Sequence, residues 1–460
     1  MIYLHFLSLL SMKILPVNSY YKAILKLALP AIAGLSTQMV VSLTDSAMVG
    51  RLDEATYALA AMGIGVLATW ALISFFSSLA TGTHVIVARK FGENDYDGCS
   101  LALINSLIIG FIIGIIVAAI GVLAAYQIAD FFAADKIVGN YAGQYIFYRF
   151  LGIPFFLISV SYRGFYFGIS KTKIFMFSGA ITNLLNIFFN YVFIYGNLGM
   201  PRMGLAGAGF ASTLATTFDF IFYSTILMLP VYRKRFHPFR NFRMNLDLIK
   251  KIYKISLPVS FQNIFILIGF LLFVVITGLI GTQQQAASQA IISTLFISFL
   301  PCFGFGIAVQ TLVGNNLGSG KFQIAKIYGF ETAKIATYYT FILGVIFIAI
   351  PQYILLIITN NQTIIEVAKP ALRIAGFAQI FYAIGVVLAN GLQAAGKTFF
   401  VMKSEVITNL FIFVPLAYLF GVVLEGGLTW AWAALPVYIL IYTGVIYKKY
   451  EKGEWQKKAI

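Results

Sequence analysis

The sequence predicts an all-α polytopic membrane protein with twelve transmembrane helices in two parallel-repeat six-helix lobes around a central cavity. Three observations predict this fold: an apolar composition, twelve long apolar segments, and a repeat that relates the two halves. Of the 460 residues, 60% are hydrophobic and 10% are charged, whereas a soluble protein carries roughly 25% charged residues. Because so few charges cannot cover a surface in water, we expect the surface to face lipid.

Twelve apolar segments are separated by short polar turns, and each can cross a hydrocarbon core of about 30 Å. They cover residues 22–50, 57–88, 100–130, 139–168, 174–196, 204–230, 252–280, 284–313, 326–358, 364–394, 400–424 and 428–447. The predicted organisation is a lead-in (1–21), an N-lobe (22–230), a basic linker (231–251), a C-lobe (252–447) and a tail (448–460). The apolar run in the lead-in is too short to span the membrane, and either Met1 or Met12 could be the start.

Basic residues orient the predicted bundle. With a cytoplasmic N-terminus, 24 Lys and Arg fall on cytoplasmic segments and 4 on outer segments. Because cytoplasmic loops are enriched in Lys and Arg, both termini are predicted to be cytoplasmic. The net charge of +16 is then a topology signal, and we expect no nucleic-acid partner. The basic linker is either a plain connector or a contact with anionic lipid headgroups.

The two halves of the chain repeat one another at an offset of 226 residues, which is 228 for the first helix of each half, where Leu29-Pro30 corresponds to Leu257-Pro258. Gly92 corresponds to Gly318, and the sequence Ile-Thr-Asn-Leu occurs at 181–184 and again at 407–410. Six helices per half give both halves the same orientation, so the repeats are related by an axis along the membrane normal. Such duplicated halves are typical of transporters that alternate around a central cavity, and we expect a monomer.

Asp45 in the first helix is the clearest candidate for a functional charge, because charges inside a membrane are costly. It lies five residues before the expected outer end at Gly50. Gln38 and Ser42 share its face at helical spacing and are candidates for the substrate cavity. Asp219, in the sixth helix, is a candidate relay or a structural hydrogen-bond partner.

Polar residues on the fifth and sixth helices are expected at the same depth as Asp45. Asn183, Asn186 and Asn190 follow one face of the fifth helix, and Ser212 lies near the outer end of the sixth. These oxygen-bearing side chains could bind Na⁺ or surround a protonatable aspartate. The alternative is that the asparagines only join helices by hydrogen bonds. We favour this structural role for Asn183. Its other candidate role is to line the substrate cavity.

The second half lacks this polar set at the repeated positions. The residues that correspond to Asp45, Asn186 and Asn190 are Phe273, Ile412 and Leu416. We therefore expect the C-lobe to offer a mainly apolar and aromatic surface. Arg149 and Arg373, early in the fourth and tenth helices, are expected to extend to the outer interface.

Motifs of soluble enzymes are missing from the sequence. There is no HExxH, GxSxG or Walker A sequence, no CxxC spacing, and only three scattered histidines. ATP hydrolysis and a His-based metal site are therefore not expected. We expect no cofactor, and any driving force must come from an ion gradient of H⁺ or Na⁺.

Several stretches resemble the multidrug and toxic compound extrusion (MATE) family. They are LPAIAGLSTQMVVSLTDSAMVGRL (29–52), KFGENDYDG (90–98), ITNLLNIFFNYVFIYGNLGMPRMGLAGAGFAST (181–213), VGNNLGSGKF (313–322) and LQAAGKTFF (392–400). The resemblance covers nearly the whole chain, and SLTDSAMVGRL is most similar to the DinF-like branch. It implies two lobes in a V shape and an antiporter of a prokaryotic inner membrane that exports organic, often cationic, compounds in exchange for H⁺ or Na⁺.

The resemblance also implies a cation site. The matching positions are Asp45, Asn186, Asn190 and Ser212, with Gln38 two turns before the aspartate. The chain departs from the family in two ways. The branch often has an aspartate in place of Asn190, and the glutamate that other branches carry in the seventh helix is missing, which leaves the choice of coupling ion open.

Two other functions are weighed against efflux. A lipid-linked saccharide flippase of the same wider superfamily would need basic residues in the cavity for a pyrophosphate, and few arginines lie in the middle of a helix here. A membrane-embedded enzyme would need a paired acid and base or a metal cluster, which the sequence does not suggest.

Overall fold

A computed structural model describes residues 18–238, 240 and 242–456. In this part of the chain eleven helices are long and apolar enough to cross a membrane, and the helix pair Lys136–Leu151 and Ile153–Gly168, bent by 47°, supplies the twelfth span. The twelve predicted spans are thus confirmed. Met12 with the rest of 1–17, and the tail residues 457–460, lie outside the described residues.

The spans are numbered α1 to α12 in chain order. They are α1 (Asn18–Val49), α2 (Ala55–Gly92), α3 (Tyr96–Phe132), α4 (Lys136–Leu151 and Ile153–Gly168), α5 (Thr172–Tyr195), α6 (Leu205–Met228), α7 (Leu246–Ile280), α8 (Thr282–Gly318), α9 (Phe322–Ala349), α10 (Gln362–Ala394), α11 (Thr398–Val423) and α12 (Gly427–Glu451). Two short helices lie outside the spans, Pro230–Phe236 before α7 and Pro351–Leu356 after α9.

The basic linker between the lobes contains more helix than the apolar pattern indicates. Leu246 begins α7 six residues before the predicted boundary at 252, because Asn245 caps the helix by accepting a 3.0 Å hydrogen bond from the backbone N–H of Leu248. The buried Asn105 of α3 holds the linker, accepting a 2.8 Å bond from the Asn245 N–H. The linker is therefore anchored to the N-lobe rather than loosely extended.

Each lobe has its own apolar core, but the first helix of each half reaches into the opposite core. Ile24, Leu27 and Ala28 of α1 are buried in the core formed by C-lobe helices α8, α9, α10 and α12. Reciprocally, Ile252 and Ile255 of α7 are buried in the core formed by N-lobe helices. The lobes are thus interlocked at the side of the bundle where both termini lie, here called the termini side.

The contacts between the lobes lie in the half of the bundle next to the termini side. His84 Nε2 and Thr311 Oγ1 are 2.8 Å apart, and the hydroxyls of Ser78 and Ser260 are 2.5 Å apart. Gly92 of α2 packs directly against the backbone of α8. Among the described residues, the interlobe hydrogen bonds all lie within this half, and the opposite side of the bundle, where the lobes share no hydrogen bond, is here called the open side.

Candidate functional site

Four of the predicted site residues meet between three helices of the N-lobe. Asp45 lies four residues before the end of α1, Asn190 five residues before the end of α5, and Ser212 seven residues after the start of α6. At 1.5 Å per residue these positions are roughly 6, 8 and 11 Å from the open side of the bundle. Asn186 lies one helical turn below Asn190, on the same face of α5.

Hydrogen bonds join these side chains into one chain. Asn190 Nδ2 donates to Asp45 Oδ1 over 2.5 Å and is 3.3 Å from Asn186 Oδ1. Asn186 Nδ2 in turn donates to Ser212 Oγ over 3.4 Å. The aspartate on α1 is therefore tied to α5 by its shortest contact, and α5 is tied more weakly to α6.

The cluster is buried but not fully satisfied. Asp45 is 9% exposed and Asn190 is completely buried, yet Asn190 Oδ1 has no hydrogen-bond partner. A buried acceptor without a donor carries a desolvation cost. Carboxylate, amide and hydroxyl oxygens are ligands for a hard cation, and a protonated Asp45 would itself be a donor. The arrangement can hold either a small cation or a proton.

Arg149 belongs to this region, although its place in the sequence suggested an interfacial residue. It lies thirteen residues into α4, immediately before the bend at Gly152, and it acts electrostatically on Asp45. Its buried Nε has no hydrogen-bond partner. The expectation that Arg149 extends to the outer interface is therefore wrong, because the α4 segment runs about 20 Å before reaching it. A charge so deep in an apolar segment was the signal that could have identified it.

The three residues expected in the cavity wall stand apart from the cluster. Gln38 and Ser42 are exposed on α1, and the Ser42 hydroxyl donates to the Gln38 carbonyl over 3.2 Å, within its own helix. Asn183 is half-buried, and its Nδ2 has no partner. Gln38 and Ser42 are therefore accessible to a solute, whereas the asparagine forms no bond that joins two helices.

Asp219 of α6 forms a second polar group, deeper toward the termini side. Arg163 NH2 lies 3.2 Å from Asp219 Oδ2, and Ser178 Oγ donates to Asp219 Oδ1. Thr182 Oγ1 is a third donor at 3.4 Å. A carboxylate with a counter-charge and hydroxyl donors is well suited to a structural role, and this group has no hydrogen bond to Asp45 among the described residues.

The equivalent place in the C-lobe is aromatic, as the repeat predicts. Phe273, the counterpart of Asp45, packs against the rings of Phe413 and Trp432, with centroids 4.9 and 5.0 Å away. The lobe nevertheless contains a buried carboxylate that the repeat comparison missed, Glu405 of α11. The comparison looked only for counterparts of polar N-lobe residues, and Glu405 corresponds to Gly179.

No group of three or more His, Cys, Asp or Glu side chains suited to a metal ion occurs within 18–238, 240 and 242–456. A cation at Asp45 would therefore be held by one carboxylate and by neutral oxygens. Such a ligand set suits a weakly bound monovalent ion better than a resident divalent metal.

Comparisons with known proteins agree with this architecture. The sequence profile of the MatE family matches residues 30–192 and 258–419, one match in each lobe. The "Probable multidrug resistance protein NorM" of Thermotoga maritima is 25% identical over 451 residues, covering 95% of this chain and 94% of that protein. The "Probable multidrug resistance protein YoeA" of Bacillus subtilis is 21% identical over 402 residues, covering 85% of this chain and 84% of that protein.

Solved structures show the same fold. A multidrug resistance MATE family transporter described in an outward-facing conformation has a TM-score of 0.86 at 20% identity, covering 95% of this chain and 97% of that chain. A transporter of the MOP superfamily from Pyrococcus furiosus, described by a binding pocket of reverse polarity, has a TM-score of 0.85 at 20% identity and the same coverage.

Proposed function

The chain belongs to the MatE family of multidrug efflux transporters, and from this membership we propose that it exports organic, cationic or amphiphilic compounds in exchange for H⁺ or Na⁺. The observation that carries the proposal is the hydrogen-bonded chain from Asp45 through Asn190 and Asn186 to Ser212. It is the one buried carboxylate cluster near the open side of the cavity in the described part of the chain.

Ion binding at Asp45 would act on the contact between α1 and α5. A bound Na⁺ would be held by the Asp45 carboxylate and the unpartnered Asn190 Oδ1, whereas a proton would remove the negative charge to which the Asn190 amide now donates a hydrogen bond. Either event weakens or replaces the 2.5 Å bond between the two helices. The N-lobe would then shift relative to the C-lobe, the lobes would rock about the termini side, and substrate would leave.

Cytoplasmic termini and a prokaryotic inner membrane complete the proposal. The excess of 24 over 4 basic residues supports this orientation, which makes the open side of the cavity the external side. Names that refer to multidrug resistance among the relatives support efflux over a lipid-linked saccharide flippase. Dye efflux and accumulation of lipid-linked precursors in a deletion strain separate these two functions.

The test is Asp45→Asn in proteoliposomes in which the pH and Na⁺ gradients are varied independently. We expect gradient-driven efflux of an ethidium probe to be lost, because the amide can neither accept a proton nor bind a cation as a carboxylate does. Asp53→Asn is the matched control, since Asp53 is an exposed carboxylate paired with Arg202. Full ion-driven efflux by the Asp45→Asn variant would refute the assignment.

A further inference from the structure

A buried carboxylate in the C-lobe has no role in the transport scheme above. Glu405 lies seven residues into α11, or about 11 Å from the termini side at 1.5 Å per residue. Its side chain is 4% exposed. Acidic side chains at such depth are rare and costly in a membrane, and they usually mark an ion or proton site.

The groups around Glu405 are neutral hydroxyls. Tyr438 of α12 donates a hydrogen bond to Glu405 Oε1, and the Tyr442 hydroxyl, one turn along α12, is close enough to interact with the same carboxylate. Tyr382 of α10 is a further neighbour, close enough to Glu405 and to Cys302 of α8 to interact with both electrostatically. Among the ion pairs of the described chain, none includes Glu405.

The N-lobe shows how a buried carboxylate is neutralised when its role is structural. Asp219 lies nine residues before the end of α6, at a comparable depth, and is paired with Arg163 over 3.2 Å. The residue that corresponds to Arg163 in the C-lobe is the buried Ala389. Because Glu405 lacks such a cation and an uncompensated buried charge is costly, a proton is the remaining group that can neutralise it.

The helix that carries Glu405 is also irregular. Beginning four residues after Glu405, α11 contains a π-helical segment, Asn409–Phe413, and a second one follows at Leu419–Val423. The corresponding helix of the N-lobe, α5, is a continuous α-helix. Asn409 packs against Gly269 of α7, and its buried Oδ1 has no partner. Since π-helical segments often occur at functional sites and allow local rearrangement, α11 is able to change shape next to the carboxylate.

We propose that Glu405, with Tyr438 as its hydrogen-bond donor and the Tyr442 hydroxyl nearby, is a second proton-binding site, in the C-lobe and separate from Asp45. The site takes up and releases one proton and binds no metal ion. Only the use of this proton in transport depends on the proposed function. The titratable groups that face it are Tyr438 and Tyr442 from α12 and Tyr382 from α10. The third helix packed against α11 is α7, which contacts it one turn beyond Glu405, where Gly269 meets Asn409.

Infrared difference spectroscopy of the full chain in lipid vesicles, moved between mildly alkaline and mildly acidic pH, measures this site directly. We expect the stretching band of protonated carboxylic acids to lose one component in Glu405→Gln and to keep it in Asp45→Asn. Glu331→Gln is the matched control, since this buried C-lobe carboxylate is paired with Lys334 over 2.7 Å and should not contribute to the band. Tyr438→Phe should shift the frequency of the Glu405 component.

An identical band in wild type and Glu405→Gln over the whole pH range would overturn the proposal. If Glu405→Gln fails to fold, Tyr438→Phe decides the matter, because an unshifted band means that no protonated Glu405 contacts the tyrosine. Loss of the Asp45 component alone would bear on the proposed function and leave Glu405 unaffected, so the two assignments fail separately.

Discussion

Gly92 is the position at which one methyl group should alter the balance between the two orientations of the lobes. A Cβ at Gly92 would lie 2.8 Å from the carbonyl carbon of Asn315 and 3.0 Å from its Cα, whereas ordinary contacts begin at 3.4 Å. The obstructing atoms are backbone atoms in α8 and cannot rotate away as a side chain would. In Gly92→Ala, α2 and α8 must therefore move apart at the termini side.

The size of the effect follows from the cost of overpacking. An extra methyl group in a packed contact costs about 1–3 kcal/mol, and the cost applies only to the state in which the termini side is closed. A difference of about 1–3 kcal/mol shifts a two-state equilibrium by roughly 5–150-fold. We therefore expect Gly92→Ala to populate a state with the termini side separated.

Pulsed electron spin resonance distances measure this change. Spin labels at Lys171 and Lys321, exposed on different lobes at the termini side, should show a longer distance population in Gly92→Ala. The labelled background replaces the two buried native cysteines, Cys99 and Cys302. Gly63→Ala is the control on the same helix, since a Cβ there meets nothing within 4 Å. Identical distance distributions for the two variants would refute the reasoning.

Two further predictions concern the N-lobe carboxylates. Asn190→Asp places a second carboxylate against Asp45. Because a cation between two adjacent carboxylates stabilises both charges, Na⁺ should stimulate efflux at a lower concentration than in the wild type. An unchanged Na⁺ dependence of efflux would contradict this prediction. Asp219→Asn leaves Arg163 buried without its counter-charge, which should lower the free energy of unfolding by about 3–5 kcal/mol. A thermal melt should show a lower Tm than that of Asp53→Asn, and equal values would exclude a structural ion pair.

The sequence was sufficient to predict the architecture because apolar length and the 226-residue repeat are visible in the order of residues without knowledge of how the helices pack. Depth counting along three helices likewise selected Asp45, Asn190 and Ser212, which the structure brings into one hydrogen-bonded group. Glu405 could have been found by the rule applied to Asp45, a single acid in an apolar run. Its tyrosine partners could not, because Tyr438 comes from another helix and only interhelical packing aligns the two.

Under the proposed function, the placement of the first helix of each half in the opposite core would let an ion near the open side move lobes that touch only near the other side. The first part of α1, which includes Leu27, is buried in the C-lobe core. Asp45, eighteen residues after Leu27, is hydrogen-bonded to Asn190 of the N-lobe. Between these anchors lies Pro30, which cannot donate a backbone hydrogen bond and so permits bending there. Releasing the Asp45–Asn190 bond would weaken the attachment of one end of α1 to α5 and leave the other end fixed in the C-lobe. An ion that binds more tightly once this bond is broken has the differential affinity that any ligand needs to shift a conformational equilibrium. The matching helix α7 carries Phe273 at the position of Asp45, so this route for coupling belongs to the N-lobe alone.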